Sequence, residues 1–575
     1  MTRSRLVLSG ACALLVFAGG LSASDAAPAR SAGTGRPTRT TGAPRDYTKI
    51  RGLSVARFAT VKESMMVKMP DGPSLYVEVT RPKAPGRFGV ILELSPYHGG
   101  AGSREGTRIL PGPADADENK IGLTGYFAPR GYAVVMVDLR GTGKSQGCLD
   151  HMGPKDQKDA KAIVEWAAKQ PWSNGRVGMT GHSYVGSTPQ MAAAQNPKGL
   201  VTIVPSAGLA AMYHHEFQGG VPYSLQWAGP LVAYEQIAID RYLPGGDNFG
   251  RDLQYFGCGM TQSAAVTGEA YFSGAEVAWH KERDFRKGAA ASKIPMFVIH
   301  GTNDNAARIA ALDWFHARGG RPGDKAWIGQ WDHGSGCCPN TREDHWTFAL
   351  HAWFDKQLLQ RNVDTGPPVE VFLNDGRVFT PTSWPAAPSR ALTLHANQGK
   401  LAELADEAGS IRFRANPAGG EFSTDSAVFS TKALSKETLI AGIPTMKLVA
   451  AVYGERIHIN ATLYDVSPDG DRDRISMSGW AIQPELRNGN DKPSPVIPGQ
   501  KMTIPLVSQA VAHVLAKGHT LELRIQSTHP DKVPTFAAGA LVDIFTGQGG
   551  TEFTIPVHDG VRLYADTLPD AVVVE

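Results

Sequence analysis

The sequence predicts an α/β core, built on a largely parallel sheet with an inserted helical cap, and an all-β domain appended at its C-terminal end. Three observations predict it. Nearly continuous apolar strands alternate with Gly-rich loops and an amphipathic helix up to about residue 206, further strand and loop units recur after residue 290, and beyond Pro367 short alternating segments are separated by Gly, Pro and Asp turns. At 575 residues the chain also exceeds what one hydrophobic core organises, so several domains are expected.

The N-terminus carries Arg3 and Arg5, an uncharged apolar stretch from Leu6 to about Phe17, and small residues through Ala26. That order predicts a secretory signal peptide over residues 1–26, cleaved after Ala23 or Ala26. An uncleaved anchor is the alternative, disfavoured because the apolar run is short and Gly-interrupted. Residues 27–48 are rich in Ala, Gly, Thr, Pro and Arg with almost no large apolar side chains, the composition of a disordered linker.

The first part of the α/β domain is expected over 49–206. Strands are predicted at Ser74–Val79, Gly89–Leu94, Ala133–Val137 and Arg176–Thr180. Their continuous apolar character suits a sheet covered on both faces. After Ala133–Val137 comes a Gly-rich loop, Asp138 to Gly147, and then a helix with Ala160, Ile163, Val164 and Ala167 on one face. From 207 to 290 the regularity fades into Tyr-, His-, Trp- and Met-rich segments, read as the cap. The α/β domain resumes over 291–366 with strands Pro295–His300 and Lys325–Trp331, closed by a helix on which Trp346, Ala349, Leu350, Trp353 and Phe354 share a face. Residues 367–575, with alternation in Arg456–Tyr464 and Thr520–Ile525, read as a β-sandwich.

Composition narrows the function classes. Hydrophobic residues at 42% and charged residues at 20% exclude a mainly disordered or multi-span membrane protein. The net charge of +3 arises from 58 basic and 55 acidic residues without long single-sign runs, so no nucleic-acid partner is expected. Loss of the leader leaves Cys148, Cys258, Cys337 and Cys338. Either one or two bridges or free buried thiols fit these four, and the sequence selects no pairing.

The chemistry centres on Gly181-His182-Ser183-Tyr184-Val185-Gly186, a tight turn between the strand at Arg176–Thr180 and an Ala-rich helix from Ser187 to Gln195. A strand that turns abruptly into a helix exposes a serine hydroxyl at the sheet's C-terminal edge, and the next backbone N–H, here that of Tyr184, faces developing negative charge. Glycine normally stands two residues after the serine; here Val185 does, and Gly186 follows. A carboxylate and a base should come later in the chain, at the ends of later strands. Pro295–His300 runs into Gly301-Thr302-Asn303-Asp304, and Lys325–Trp331 into Asp332-His333-Gly334. Any single Asp or His is more often a solvated turn residue, but three in the required order at strand ends predict Ser183 as nucleophile, His333 as general base and Asp304 as its orienting acid. Asp332 is the alternative acid, disfavoured because a sequence neighbour rarely aligns with the imidazole nitrogen that faces away from serine.

Three other patterns carry less. Gly143-Lys144-Ser145 suggests a phosphate loop, but that motif needs glycine where Asp138 stands. Asp465 to Gly470 resembles a calcium loop whose twelfth position would be Ser476 instead of Glu, and reads better as a hairpin turn. His214-His215-Glu216 lacks the helical His spacing of a zinc protease and fits a cap cluster lining the substrate pocket. No metal and no cofactor are expected.

The run Pro171 to Met179, followed by Gly181-His182-Ser183-Tyr184-Val185-Gly186, resembles the cocaine-esterase and X-Pro dipeptidyl-peptidase (CocE/NonD) family, which shares a Gly-x-Ser-Tyr-x-Gly elbow. Ser95-Pro96-Tyr97, Asp138 to Gly143, Trp353-Phe354-Asp355, Leu463 to Gly470, Pro498-Gly499 and Lys517-Gly518-His519 look like further landmarks of that family. The resemblance spans about residue 60 to the C-terminus. It implies an α/β-hydrolase core, a helical cap and a C-terminal jelly-roll (galactose-binding-like) domain. It also implies that Tyr97 donates its hydroxyl to the oxyanion hole beside the N–H of Tyr184; from pattern alone Tyr97 would be a packing aromatic.

Together these readings predict a secreted serine hydrolase, periplasmic or extracellular, that transfers an acyl group from a carboxylic ester to water, with X-Pro dipeptidyl-peptidase or amide acylase activity as the alternative within the class. The substrate is a small-molecule ester or a short peptide, and no stable membrane association is expected once the leader is removed. Family members that prefer α-amino-acid esters carry acidic residues just after the catalytic Asp; Asn305-Ala306-Ala307 stand here instead, which favours a neutral acyl group. A catalytically silent ligand-binding protein is the reading from another class. Oligomeric state is not legible.

Overall fold

The computed structural model describes residues 41–98, 122–224, 273–308, 312–333 and 343–565, all within one compact unit, Arg36–Glu575. The predicted signal peptide, most of the predicted linker, cap residues 225–272, Cys258, Cys337 and Cys338 lie outside the described residues. Cys148 is disulfide-bonded.

The α/β sheet uses strands β1 (Thr60–Lys68), β2 (Ser74–Pro82), β3 (Phe88–Ser95), β4 (Tyr132–Asp138), β5 (Ser173–His182), β6 (Leu200–Ser206), β7 (Phe297–Gly301), β8 (Lys325–Gly329), β9 (Val369–Phe372) and β10 (Arg377–Phe379). Their spatial order is β1-β2-β4-β3-β5-β6-β7-β8-β9-β10, and the C-terminal strand Tyr564–Ala565 adds to the far edge. From β4 through β9 all pairs are parallel; β1, β2, β10 and the last strand join antiparallel.

Every residue of β3 and β4 is buried, because the sheet is covered on both faces. Alternate side chains point to opposite sides. Val90, Leu92, Leu94, Ala133, Val135 and Val137 join one apolar cluster, and Ile91, Tyr132, Val134 and Met136 join another. Helices α1 (Pro154–Ala168) and α2 (Tyr184–Gln195) cover the first face with Ala160, Ile163, Val164, Met191 and Ala192. On the second face lies α4 (Glu343–Leu358), which contributes Trp346, Leu350, Trp353 and Phe354. The short helix α3 (Met212–Glu216) precedes it in the chain, after β6.

Two details differ from the sequence reading. Residues 369–379, expected at the start of the β domain, continue the α/β sheet as β9 and β10. Glu370 explains the first of these strands: fully buried, it accepts from Trp327 Nε1 at 2.8 Å and from the Tyr47 hydroxyl, and pairs with Lys325 at 3.2 Å. Tyr47 is itself completely buried, so the end of the stretch read as a disordered linker is docked on the core, where Arg45 N–H also reaches Glu370 at 3.1 Å. Residue Thr41 also bonds Thr380 through the backbone.

Beyond β10, two sheets, one containing Arg390–Ala396, Thr445–Val452, Leu541–Thr546 and Glu552–His558, the other Ser426–Ser430, Ile459–Val466 and Thr520–Gln526, enclose a separate apolar cluster. Leu448, Val542 and Ile555 from the first meet Phe429, Leu463 and Leu523 from the second. Of Asp465–Gly470, the first two residues close strand Ile459–Val466 and the rest lie in the turn that joins it to its partner Arg472–Arg474. The β domain joins the α/β core through Leu439, Ala441, Ala510, Ala512 and Val514, which belong to the first core cluster. One contact reaches toward the site: Gln330 Nε2, just past β8, donates to the Ala512 carbonyl at 2.5 Å.

Candidate active site

β5 ends at His182 and α2 begins at Tyr184, leaving Ser183 alone in the corner with φ 63° and ψ −127°. A non-glycine residue at positive φ costs about 1–3 kcal/mol and persists only where the surroundings impose it. Here Ser183 N–H is held by the Ser206 carbonyl at 3.0 Å, and its own carbonyl accepts from Gly186 and Ser187 N–H at 2.9 and 3.1 Å. Gly186 is required by the close approach: a Cβ there would run into the Ser206 carbonyl oxygen. The shift of glycine by one position from the usual spacing thus has a local reason, and the helix starts three residues earlier than the sequence pattern suggested.

The imidazole of His333 lies between Ser183 and Asp304. Ser183 Oγ is 2.8 Å from His333 Nε2, and His333 Nδ1 is 2.9 Å from Asp304 Oδ2. In the tautomer these contacts support, Nδ1–H donates to the carboxylate and Nε2 accepts the serine proton. Asp304 is 1% exposed while the His333 side chain is 22% exposed, so the carboxylate is sealed and the imidazole remains accessible. The acid that meets His333 Nδ1 is therefore Asp304, not its neighbour Asp332.

Electrostatics keep Asp304 charged. Burial pushes its pKa up, but the His333 hydrogen bond, nearby His300 and the backbone N–H of Ala306 outweigh it and hold the carboxyl well below the usual range. Asp304 Oδ1 accepts from both Ala306 and Ala307 N–H at 2.8 Å. Burial lowers His300 to about 4 and His215 to about 3, the latter helped by Arg308 and His333. Both rings are thus neutral at ordinary pH.

Tyr97 stands two residues past β3, which neighbours β5 in the parallel part of the sheet, so it sits at the same edge as Ser183. Its N–H bonds Ser95 Oγ at 3.0 Å, and the Thr188 hydroxyl of α2 reaches the Leu94 carbonyl at 2.9 Å, tying the two strand ends together. Tyr184 occupies the first position of α2; its ring is buried, and its hydroxyl bonds Met152 N–H at 2.9 Å and Asp156 Oδ2 at 3.2 Å.

The patterns that suggested ligands are engaged internally. Ser145 Oγ donates to the Asp138 carbonyl, Asp465 binds His513 and His519, and Glu216 binds His280. Among the described residues no group of three or more His, Cys, Asp or Glu is placed to hold a metal ion. Of the predicted cap cluster, His215 approaches the site, where its buried ring feels the charges of Arg308, His333 and Asp304. Sequence reasoning passed over His182 and Ser206, whose contacts join chain segments far apart; no local pattern marks them.

Two family profiles match the chain: X-Pro dipeptidyl-peptidase (S15 family) over residues 71–335, and the X-Pro dipeptidyl-peptidase C-terminal non-catalytic domain over 361–543. A Streptomyces avermitilis protein provisionally named Xaa-Pro dipeptidyl-peptidase is 27% identical, covering 92% of this chain and 90% of its own length. A similarly named Bacillus anthracis protein is 24% identical over 84% of each chain. A solved CocE/NonD family hydrolase from Staphylococcus aureus superposes with a TM-score of 0.70 at 19% identity, covering 91% of this chain and 99% of that one, which shows a common fold. Among the described residues no helix is long and apolar enough to cross a membrane. With an α/β core, a C-terminal β domain and a serine-centred site, this chain belongs to the CocE/NonD (S15 peptidase) family of serine hydrolases.

Proposed function

We propose that the protein hydrolyses a neutral acyl ester through Ser183, His333 and Asp304. The observation that carries this is the pair of contacts at 2.8 and 2.9 Å that place one imidazole between the serine hydroxyl and a sealed carboxylate. Ser183 Oγ attacks the substrate carbonyl as His333 Nε2 takes its proton. The tetrahedral intermediate collapses when His333 returns that proton to the leaving alkoxide. A water, deprotonated by the same imidazole, then cleaves the acyl-enzyme. Asp304 stays ionised and steadies the imidazolium. Tyr97 Oη–H and Tyr184 N–H stabilise the oxyanion.

Substrate choice follows from charge. Asn305, Ala306 and Ala307 after Asp304 supply no carboxylate for a substrate ammonium, and Arg308 lies near enough to lower the proton affinity of His215. A cationic acyl group is disfavoured by both. A second reading, X-Pro dipeptidyl-peptidase or amide acylase activity, is favoured by the names of the relatives that align along most of the chain. The secretory leader predicted over residues 1–26 puts the enzyme outside the cytoplasm, and the β domain is read as a jelly roll.

Fluorophosphonate labelling of the purified protein, abolished in Ser183→Ala, tests the mechanism; labelling that survives that substitution would sink it. Hydrolysis of 4-nitrophenyl butyrate against an Ala-Pro anilide separates the substrates. Strong preference for the anilide would transfer the assignment to the peptidase reading.

A further inference from the structure

His182 takes no part in the proton transfers above, yet it touches the general base. It is the last residue of β5, partly buried beside Ser183, and its ring centroid lies 4.7 Å from that of His333 with the planes tilted by 38°. Its Nε2 is 3.0 Å from the His333 carbonyl oxygen, and its Nδ1 is 3.2 Å from Ser206 Oγ. A carbonyl only accepts, so Nε2 carries the proton; in the neutral ring Nδ1 then accepts from the Ser206 hydroxyl. The ring is fixed in one tautomer from both sides.

Ser206 completes the arrangement. Its carbonyl holds Ser183 N–H at 3.0 Å while its hydroxyl fixes His182. One residue at the end of β6 thereby anchors the nucleophile's backbone directly and the base's backbone through an imidazole.

The base needs such an anchor. β5 and β8 are not neighbours: β6 and β7 lie between them, so three strand spacings separate their ends by about 14 Å. The segment after β8 must lean back across two strands to bring His333 to Ser183. Asp304 touches only the ring of His333, and a displacement of about 1 Å at a catalytic group can cost roughly 100-fold in rate.

We propose that His182 is a positioning residue that locks the His333 segment onto the nucleophile corner, its Nε2–H holding the His333 carbonyl so that the base stays within reach of Ser183. The inference rests on the reading of Ser183 and His333 as nucleophile and base. Burial, with His333 and His300 on the same side and Asp304 opposing them, lowers His182 to about 4. The clamp is therefore neutral at working pH and adds no charge against the imidazolium that forms on His333.

The test compares His182→Leu, which removes the donor, with His182→Gln, whose amide N–H can occupy the position of Nε2. Hydrolysis of 4-nitrophenyl butyrate, the second-order rate of fluorophosphonate labelling and the melting temperature are measured for each. His182→Leu should lower kcat and labelling roughly 10- to 100-fold with KM within about twofold, and His182→Gln should recover most of that loss. Wild-type kcat in His182→Leu, or an equal loss in both variants, overturns the proposal. Should His182→Leu fail to fold, Ser206→Ala, which releases the tautomer, takes its place: a severalfold drop in kcat is expected, and an unchanged value overturns the proposal. Ser183→Ala separates the two levels. Loss of labelling there with wild-type behaviour of His182→Leu removes only the clamp, whereas labelling that survives Ser183→Ala removes the serine mechanism itself.

Discussion

Two tight, glycine-bearing loops follow β4 and β5, parallel strands of the same sheet with β3 between them, and they end in opposite ways. After β4 the chain turns through Gly141 at φ +70°, where a Cβ would strike the backbone of Leu149. Several of its polar groups are engaged by neighbours: Arg140 binds Asp159 through two contacts of 2.7 Å and reaches Asp71, Lys144 N–H binds Asp138, and Ser145 receives Tyr76 N–H while donating to Asp138. After β5 the corner is equally tight, but Ser183 turns its hydroxyl toward groups from β7 and β8. The more motif-like loop in sequence, Gly143-Lys144-Ser145, is structural. Compactness of a loop therefore says little about chemistry; what matters is whether its polar atoms are already engaged by neighbours in the same local fold.

Substitutions on each side should break this contrast cleanly. Ser183→Ala is expected to lower turnover by about 10⁴- to 10⁶-fold without lowering the melting temperature; residual activity near wild type would place the nucleophile elsewhere. Arg140→Met should do the reverse. Leaving Asp159 buried without its partner costs about 3–5 kcal/mol of stability, read by denaturant unfolding, while kcat of the protein that remains folded stays unchanged; a selective loss of kcat would draw the β4 loop into the mechanism.

Between these loops stands Tyr97 at the end of β3. Tyr97→Phe should remove one oxyanion donor at about 2.7–4 kcal/mol, a roughly hundred- to thousandfold loss in kcat, and an unaltered kcat would return Tyr97 to a packing role. The smallest effect concerns Asp156, which bonds Met152 N–H and the Tyr184 hydroxyl and so joins the two loops. Burial first, then Asp150 and Asp159, raises its pKa from 3.8 to about 8. The folded protein thus holds this proton more tightly than the unfolded chain, and the associated stability is full below about pH 4 and is lost as pH rises through about 8. Asp156→Asn cannot titrate, so its melting temperature should fall less between those limits than that of the wild type. Parallel curves would show that Asp156 does not set the dependence.

Much of the site's geometry was legible because Ser183, Asp304 and His333 each follow closely on an apolar strand, and strand ends are what periodicity locates best. Asp304 over Asp332 was legible too, from the direction an imidazole must face. Less was legible where a residue's environment is set by a distant segment. Glu370, inside the alternation Val369-Glu370-Val371, looks like a solvent-facing strand position; Lys325, Trp327 and Tyr47 bury it, and with it β9 joins the α/β sheet. Tyr47 was hidden by a polar, small-residue surround whose average composition says disorder. His182 read as the variable residue of a motif, because its partner lies 151 positions away.

By itself, then, the sequence determined most strands of the α/β core and the order in which Ser183, Asp304 and His333 follow strand ends, since these depend on local periodicity, turn chemistry and spacing, while the family was read from the likeness of its motifs. Only the tertiary structure decided where the α/β sheet ends, which buried charges are compensated, and how the segment bearing His333 is held over two intervening strands to meet Ser183. Those outcomes arise from contacts between residues remote in the chain, whose energies no local pattern encodes.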